Sequence, residues 1–135
     1  MSTMLAAISI ILHLLVQHQV NKVVFDVKAL KGKSITEIQQ ILGKPKINDI
    51  PLNYKTTSGA LGDAFFEKEG LTLEVTYNIT NRRVNDFFIG KDEAVSDYKM
   101  LEEAANVIDS DDFILYPIPS SKDKTKYSGV NITPK

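Results

Sequence analysis

Ser34–Pro45, which reads Ser-Ile-Thr-Glu-Ile-Gln-Gln-Ile-Leu-Gly-Lys-Pro, has the local signals of a short helix. Ser34 is a suitable N-cap residue, and Glu37 lies three positions later, as in a capping box. Gly43 favours the positive φ at which helices end, and Pro45 prevents continuation. Apolar residues repeat between them with helical spacing, at Ile35, Ile38, Ile41 and Leu42. A helix this short is unstable alone in water, so its apolar stripe must pack on another surface.

That surface is predicted in the middle of the chain. Leu71–Tyr77 alternates strictly between apolar and polar residues, which is typical of an antiparallel strand with one buried and one solvated face. Asn78–Asn81 is predicted as a hairpin turn and Arg83–Ile89 as the returning strand, on which Val84 and Phe88 share one face. With a preceding strand at Ala64, these segments form a meander. The stripe of the helix is expected to cover its apolar side, formed by Leu71, Leu73, Val75 and Tyr77.

The flanking segments complete an α+β fold. Lys22–Leu30 is predicted as a short strand or an extended lead-in, and Ala94–Ile108 as a second amphipathic helix. Phe113–Ile118 is predicted as a strand and Tyr127–Thr133 as an extended edge. We therefore expect residues 22–135 to form a single domain, an antiparallel meander sheet with helices packed on one face, preceded by an apolar N-terminal helix.

The N-terminal helix is predicted from residues 1–21, which contain no charged side chain. Met4–Val16 is apolar except for Ser9 and His13, and a helix apolar nearly all round is buried in protein or in lipid. Three interpretations remain open: a membrane anchor or export signal, a helix packed on the domain or a partner, and a misassigned start. A basic opening and a small-residue cleavage site are both missing from the pattern of a signal peptide. Membrane contact through Met4–Val16, with a membrane-associated or extracytoplasmic location, is slightly favoured over a cytoplasmic one.

Composition excludes several kinds of chemistry. The 135 residues include 16 Lys and Arg and 17 Asp and Glu, for a net charge of −1, so no overall basic field attracts nucleic acid. Cysteine is absent, which excludes disulfides, thiolate nucleophiles and cysteine-bound zinc. Gly32-Lys33-Ser34 ends like a phosphate-binding loop, but Val27 lies where the first glycine is required. We predict no cofactor, no metal site and no catalytic residues.

The solvated face of the meander is the candidate binding surface. Its predicted partner-binding residues are Thr72, Glu74, Thr76 and Arg83. An enzyme or small-ligand binder that uses Glu74 and Arg83 is the alternative, and a deep pocket around a buried carboxylate would favour it.

The helix and hairpin together resemble the small bacterial SmpA/OmlA-like domains, which are similar in layout to β-lactamase-inhibitor-protein-like domains. The resemblance covers Leu30–Ile89 and lies in the Gly-x-Ser-x-x-Glu opening of the helix, its Leu-Gly-x-Pro end and the strands that follow. It implies an extracytoplasmic, often lipid-anchored module that binds other proteins and performs no chemistry. This chain lacks the anchor cysteine of that family. The expected function is a non-enzymatic protein-binding or envelope-assembly module, with an inhibitor of a secreted hydrolase as a further alternative.

Overall fold

The computed structural model describes residues 22–49, 55–56 and 59–135, which form an α+β fold. The helices are α1 (Val27–Leu30), α2 (Ile35–Leu42) and α3 (Lys99–Ala104). The strands are β1 (Ile47–Asp49), β2 (Lys55–Thr56), β3 (Gly59–Lys68), β4 (Leu71–Asn78), β5 (Val84–Val95), β6 (Phe113–Pro119) and β7 (Tyr127–Pro134). The predicted apolar helix within residues 1–21, including Met4–Val16, lies outside the described residues. Among the helices that are described, none is long and apolar enough to cross a membrane.

The seven described strands form one antiparallel sheet in the order β1-β3-β4-β5-β7-β6, with β2 also paired to β3. The predicted meander is confirmed in β3, β4 and β5, which pair as consecutive neighbours. The prediction that Tyr127–Thr133 is an edge is wrong, because β7 lies between β5 and β6. After β5 the chain passes through α3 to β6, the outermost strand at this end, and β7 then fills the gap.

Helix α2 begins as its sequence predicts. The Ser34 hydroxyl accepts a hydrogen bond from the Glu37 amide at 3.2 Å, and the Glu37 carboxylate accepts one from the Ser34 amide at 3.1 Å. Ile35 and Ile38 are fully buried in the same cluster as the inward residues of β4. Ile41 was expected there too, yet it is 56% exposed. At about 100° per residue it lies roughly 90° from the centre of the buried stripe, so the prediction is wrong for this residue.

A β-bulge changes the face assignment on β5. Thr76 pairs with Asp86 but Tyr77 pairs with Val84, so β5 has one extra residue, Asn85, at this point. The extra residue shifts the alternation by one position. Val84 therefore packs on the core, whereas Phe88 lies on the other face, and the prediction that they share a face is wrong.

Two predicted boundaries are also wrong. Lys22–Leu30 is extended only at first, where the Val24 and Phe25 amides both donate to the Ala104 carbonyl at 2.8 and 3.0 Å, and it then forms α1. The predicted helix Ala94–Ile108 is reduced to α3, because β5 continues to Val95 and pairs there with β7.

Candidate binding face

The open face of the sheet lies opposite the helices. We define it by Thr72, Glu74 and Thr76 on β4, whose inward neighbours Leu73 and Val75 are fully buried in the core. The three outward side chains are half-buried by their neighbours on β3 and β5. Local alternation thus places three of the four predicted binding residues together.

Arg83 does not join them. It precedes β5 and forms an isolated bridge with Ser34, at the N-terminal end of α2. There it lines a groove of about 550 Å³ together with Lys33 and Glu37. The predicted set is therefore divided between the open face and this groove on the helix side.

A row of paired residues crosses the middle of the open face. Directly paired residues on neighbouring strands share a face, and the pairing continues from β3 to β6 through the central row: Phe65, Glu74, Phe88, Asn131 and Tyr116. With strands about 4.8 Å apart, the row spans roughly 20 Å. Glu74 lies between two phenylalanines, and the row ends at Tyr116, which is 65% exposed.

The ring of Phe88 lies over two glycines. Gly90 and Gly129 are directly paired between β5 and β7. A methyl group built on Gly129 would lie 2.2 Å from Cζ of Phe88, and one built on Gly90 would lie 3.1 Å from its Cε1. The two glycines therefore provide the space that the ring occupies, and the ring covers backbone that has no side chain of its own.

On β6, at the end of the sheet, the outward side chains are apolar. Ile114 and Tyr116 on β6 are both more than half exposed, whereas Phe113 on the same strand is buried in the core. Ile118 continues the outward set and pairs with Gly129. We call Ile114, Tyr116 and Ile118 the apolar ridge. Large exposed apolar side chains grouped on one surface are typical of interaction sites.

On its other side the open face is acidic. Asp63 and Asp86 both pair with Thr76, from β3 and β5, and Glu74 is the next outward residue on β4. The Thr76 hydroxyl donates to Asp63 Oδ1 at 2.7 Å. We call Asp63, Glu74 and Asp86 the carboxylate cluster.

Glu74 and Asp86 in the carboxylate cluster both have raised pKa values. Burial raises the pKa of Glu74, and the charges of Asp63 and Asp86 and a hydrogen bond with Asp63 raise it further. Burial also raises the pKa of Asp86, with the Asp63 charge adding to the rise and a hydrogen bond with Thr76 opposing it. Like charges on adjacent strands disfavour full ionisation.

The ion pairs of the described residues do not involve the carboxylate cluster. The ion pairs found among the described residues are Lys22–Glu69, Lys31–Asp112 at 3.4 Å and Lys46–Glu67 at 2.9 Å, and they use other carboxylates. The same part of the chain contains no group of three His, Asp or Glu residues arranged to hold a metal ion. At the N-terminal end of α2, next to Gly32-Lys33-Ser34, the Glu37 carboxylate accepts the hydrogen bond of the Ser34 amide. Its hydrogen bonds with Ser34 lower the pKa of Glu37.

Sequence reasoning missed Asp63, Phe65, Phe88 and Tyr116 as members of this surface. Alternation in Gly62–Phe66 is a usable signal for the first two, because Ala64 and Phe66 are buried and their neighbours face outward. Phe88 was concealed by the bulge. Tyr116 requires the strand order, which no local pattern gives.

Comparison with protein-family models, curated proteins and solved structures gives no match to this chain. The resemblance to SmpA/OmlA-like domains therefore stays a prediction.

Proposed function

We propose that this domain is a non-enzymatic protein-binding module and that its partner docks on the open face. The observation that carries the proposal is the apolar ridge with Phe88 beside it, on the side of the sheet that no described helix covers. Aromatic and aliphatic side chains fixed on a sheet lose little conformational entropy on binding, so their burial contributes efficiently to affinity.

The fold does not need these side chains for its core. The buried cluster lies on the helix side, where it joins residues of α1, α2 and α3 to β3, β4, β5 and β7 and to Phe113 of β6. Ile114 and Tyr116 are exposed instead, at the end of the sheet. Their apolar character is thus explained better by a partner than by stability.

The enzyme alternative receives less support from the geometry. It relies on Glu74 and Arg83 acting together, and they lie on different sides of the sheet. A groove of about 680 Å³ lies at the far ends of β5 and β6, and Glu74 does not line it. The raised pKa of Glu74 has a simpler cause in its half-buried position beside two other carboxylates. A membrane-associated or envelope-assembly role remains part of the proposal and depends on residues outside those described.

Site-specific photo-crosslinking in the cells that make the protein tests the proposal. A photoreactive phenylalanine analogue is placed at Tyr116 on the open face or, as the control, at Met100, which is exposed on α3. We expect a discrete protein adduct from position 116 and none of the same mass from position 100. Adducts of equal mass and yield from both positions, or adducts from position 100 alone, would contradict the open face as the docking surface.

A further inference from the structure

We propose that the partner surface bound by the open face presents an arginine or lysine side chain, flanked by apolar residues, to the carboxylate cluster. The inference rests on the proposed function and specifies the chemistry of the partner. The open face combines the apolar ridge at one end with the carboxylate cluster at the other, joined through the central row. A complementary surface must therefore be apolar on one side and basic on the other.

Docking favours a cation at this position. When a partner covers the central row, it removes water from Glu74 and its two acidic neighbours, and an uncompensated charge in a dry interface is costly. A basic side chain between Asp63, Glu74 and Asp86 would offset that cost, and the described ion pairs leave this position to the partner.

The surroundings favour a guanidinium group. Phe65 pairs directly with Glu74 from β3, so a planar cation at Glu74 would lie beside an aromatic residue as well as a carboxylate. A guanidinium is also more weakly hydrated than an ammonium, which lowers the cost of bringing it into an apolar interface.

Other occupants fit less well. A second copy of this chain would present the same three carboxylates rather than a complementary charge. Nucleic acid and anionic lipid surfaces are repelled by the cluster. Residues 1–21 contain no lysine or arginine, so they do not offer the side chain that the cluster favours.

The docked cation is expected to displace protons. The titratable groups that face this position are Asp63 from β3, Glu74 from β4 and Asp86 from β5, and Thr76 is their polar neighbour. A cation favours the ionised forms of Glu74 and Asp86, whose pKa values are raised, so their protonation competes with docking. Affinity should fall as the pH is lowered from about 7.5 to about 5.

The test uses the full chain and an array of random 12-residue peptides as the probe. We expect the peptides that bind to be enriched in arginine or lysine next to aromatic or aliphatic residues. Replacing an arginine of a bound peptide by citrulline, or a lysine by acetyl-lysine, removes the charge and keeps most of the side-chain shape, and should weaken binding about ten-fold or more. This exchange uses the wild-type protein, so it does not depend on the folding of any variant.

Protein variants then locate the contact. The triple variant Asp63→Asn, Glu74→Gln, Asp86→Asn should lose the preference for arginine and the pH dependence. The matched control neutralises three exposed carboxylates elsewhere, Asp109→Asn, Asp111→Asn and Asp112→Asn, and should retain both. The same loss in both variants would show general attraction to an acidic protein and would overturn the inference.

A second pair of variants separates this inference from the proposed function. Ile114→Ser with Tyr116→Ser removes the exposed apolar residues of β6 and should abolish binding of the selected peptides. Peptides that need Ile114 and Tyr116 but show no preference for a basic residue would overturn the inference and leave the proposed function intact. Peptide binding that is unchanged both in the triple carboxylate variant and in the variant at Ile114 and Tyr116 would contradict the proposed function as well.

Discussion

Gly129→Ala is the sharpest test of how the open face is built. Gly129 pairs with Gly90 beneath the ring of Phe88. A methyl group at position 129 would lie 2.2 Å from Cζ and 2.7 Å from Cε2 of that ring, and 2.5 Å from the Ile89 carbonyl oxygen. Non-bonded carbon atoms prefer about 3.5–4.0 Å. The ring must therefore leave its position, and the backbone of β5 must also move.

The magnitude follows from these two overlaps. Forcing one methyl group into a well-packed site costs about 1–3 kcal/mol, and a clash with both a ring and the backbone belongs near the upper end. Replacing glycine by alanine also lowers the conformational entropy of the unfolded chain, which raises the free energy of unfolding by about 0.4–1 kcal/mol. The net loss in the free energy of unfolding is then about 2 kcal/mol. For a domain of this size the expected fall in melting temperature is roughly 8 °C.

Urea unfolding followed by circular dichroism measures the loss. Gly62→Ala is the matched control, since the three atoms nearest to a methyl group there all belong to side chains, those of Tyr77 at 3.1 Å and of Ile79 at 3.4 Å. We expect it to change stability by less than about 1 kcal/mol. Repeating Gly129→Ala in a Phe88→Ala background should recover about half of the loss, because only the carbonyl overlap remains. A change within about 0.5 kcal/mol of wild type for Gly129→Ala alone would refute this account of the ring's position.

Three further predictions concern the helix and the carboxylate cluster. Ser34→Ala removes the N-cap of α2 and should lower the free energy of unfolding by about 1 kcal/mol; no change in urea unfolding would contradict the role of the cap. Ile38→Ala should cost about 2–5 kcal/mol and Ile41→Ala less than about 0.5, because only Ile38 is buried; equal losses would contradict the observed helix orientation. The folded-state pKa values of Glu74 and Asp86 are raised, so the stability they contribute is present below the unfolded-state pKa values and is lost as pH rises through the folded-state values. Relative to wild type, the double variant Glu74→Gln, Asp86→Asn should therefore gain stability as the pH rises from about 4, the unfolded-state value, and a parallel pH dependence in both proteins would exclude this linkage.

The elements that the sequence predicts best are those specified by near neighbours. The capping box of Ser34 and Glu37 needs only four residues, and it forms as expected. The strict alternation of Leu71–Tyr77 fixes which side chains of β4 face the core, because a shift of one residue would place the apolar side chains on the solvent face. Both features depend on chain geometry alone, so a single sequence contains enough information to predict them.

The parts that could not be predicted depend on pairing between distant segments. The extra residue Asn85 becomes visible only when β4 and β5 are aligned, and it moves Phe88 to the open face. The carboxylate cluster needs Asp63 and Asp86, more than twenty positions apart, on either side of Thr76. The prediction that Tyr127–Thr133 is an edge is wrong for the same reason, since β7 pairs with β5, more than thirty positions earlier in the chain, as well as with β6.

The composition of β6 bears on how a partner can bind. Outermost strands often bind by adding a strand from another protein, through unpaired backbone groups. β6 contains Pro117 within its length and Pro119 at its end, and a proline in an outermost strand has no N–H to offer on its free side. Added strands would therefore find few donors along β6, whereas Ile114 and Tyr116 on the same strand expose their side chains to the open face. The strand thus disfavours pairing through its backbone while presenting a side-chain surface, which is the arrangement expected of a module that binds across the face of its sheet.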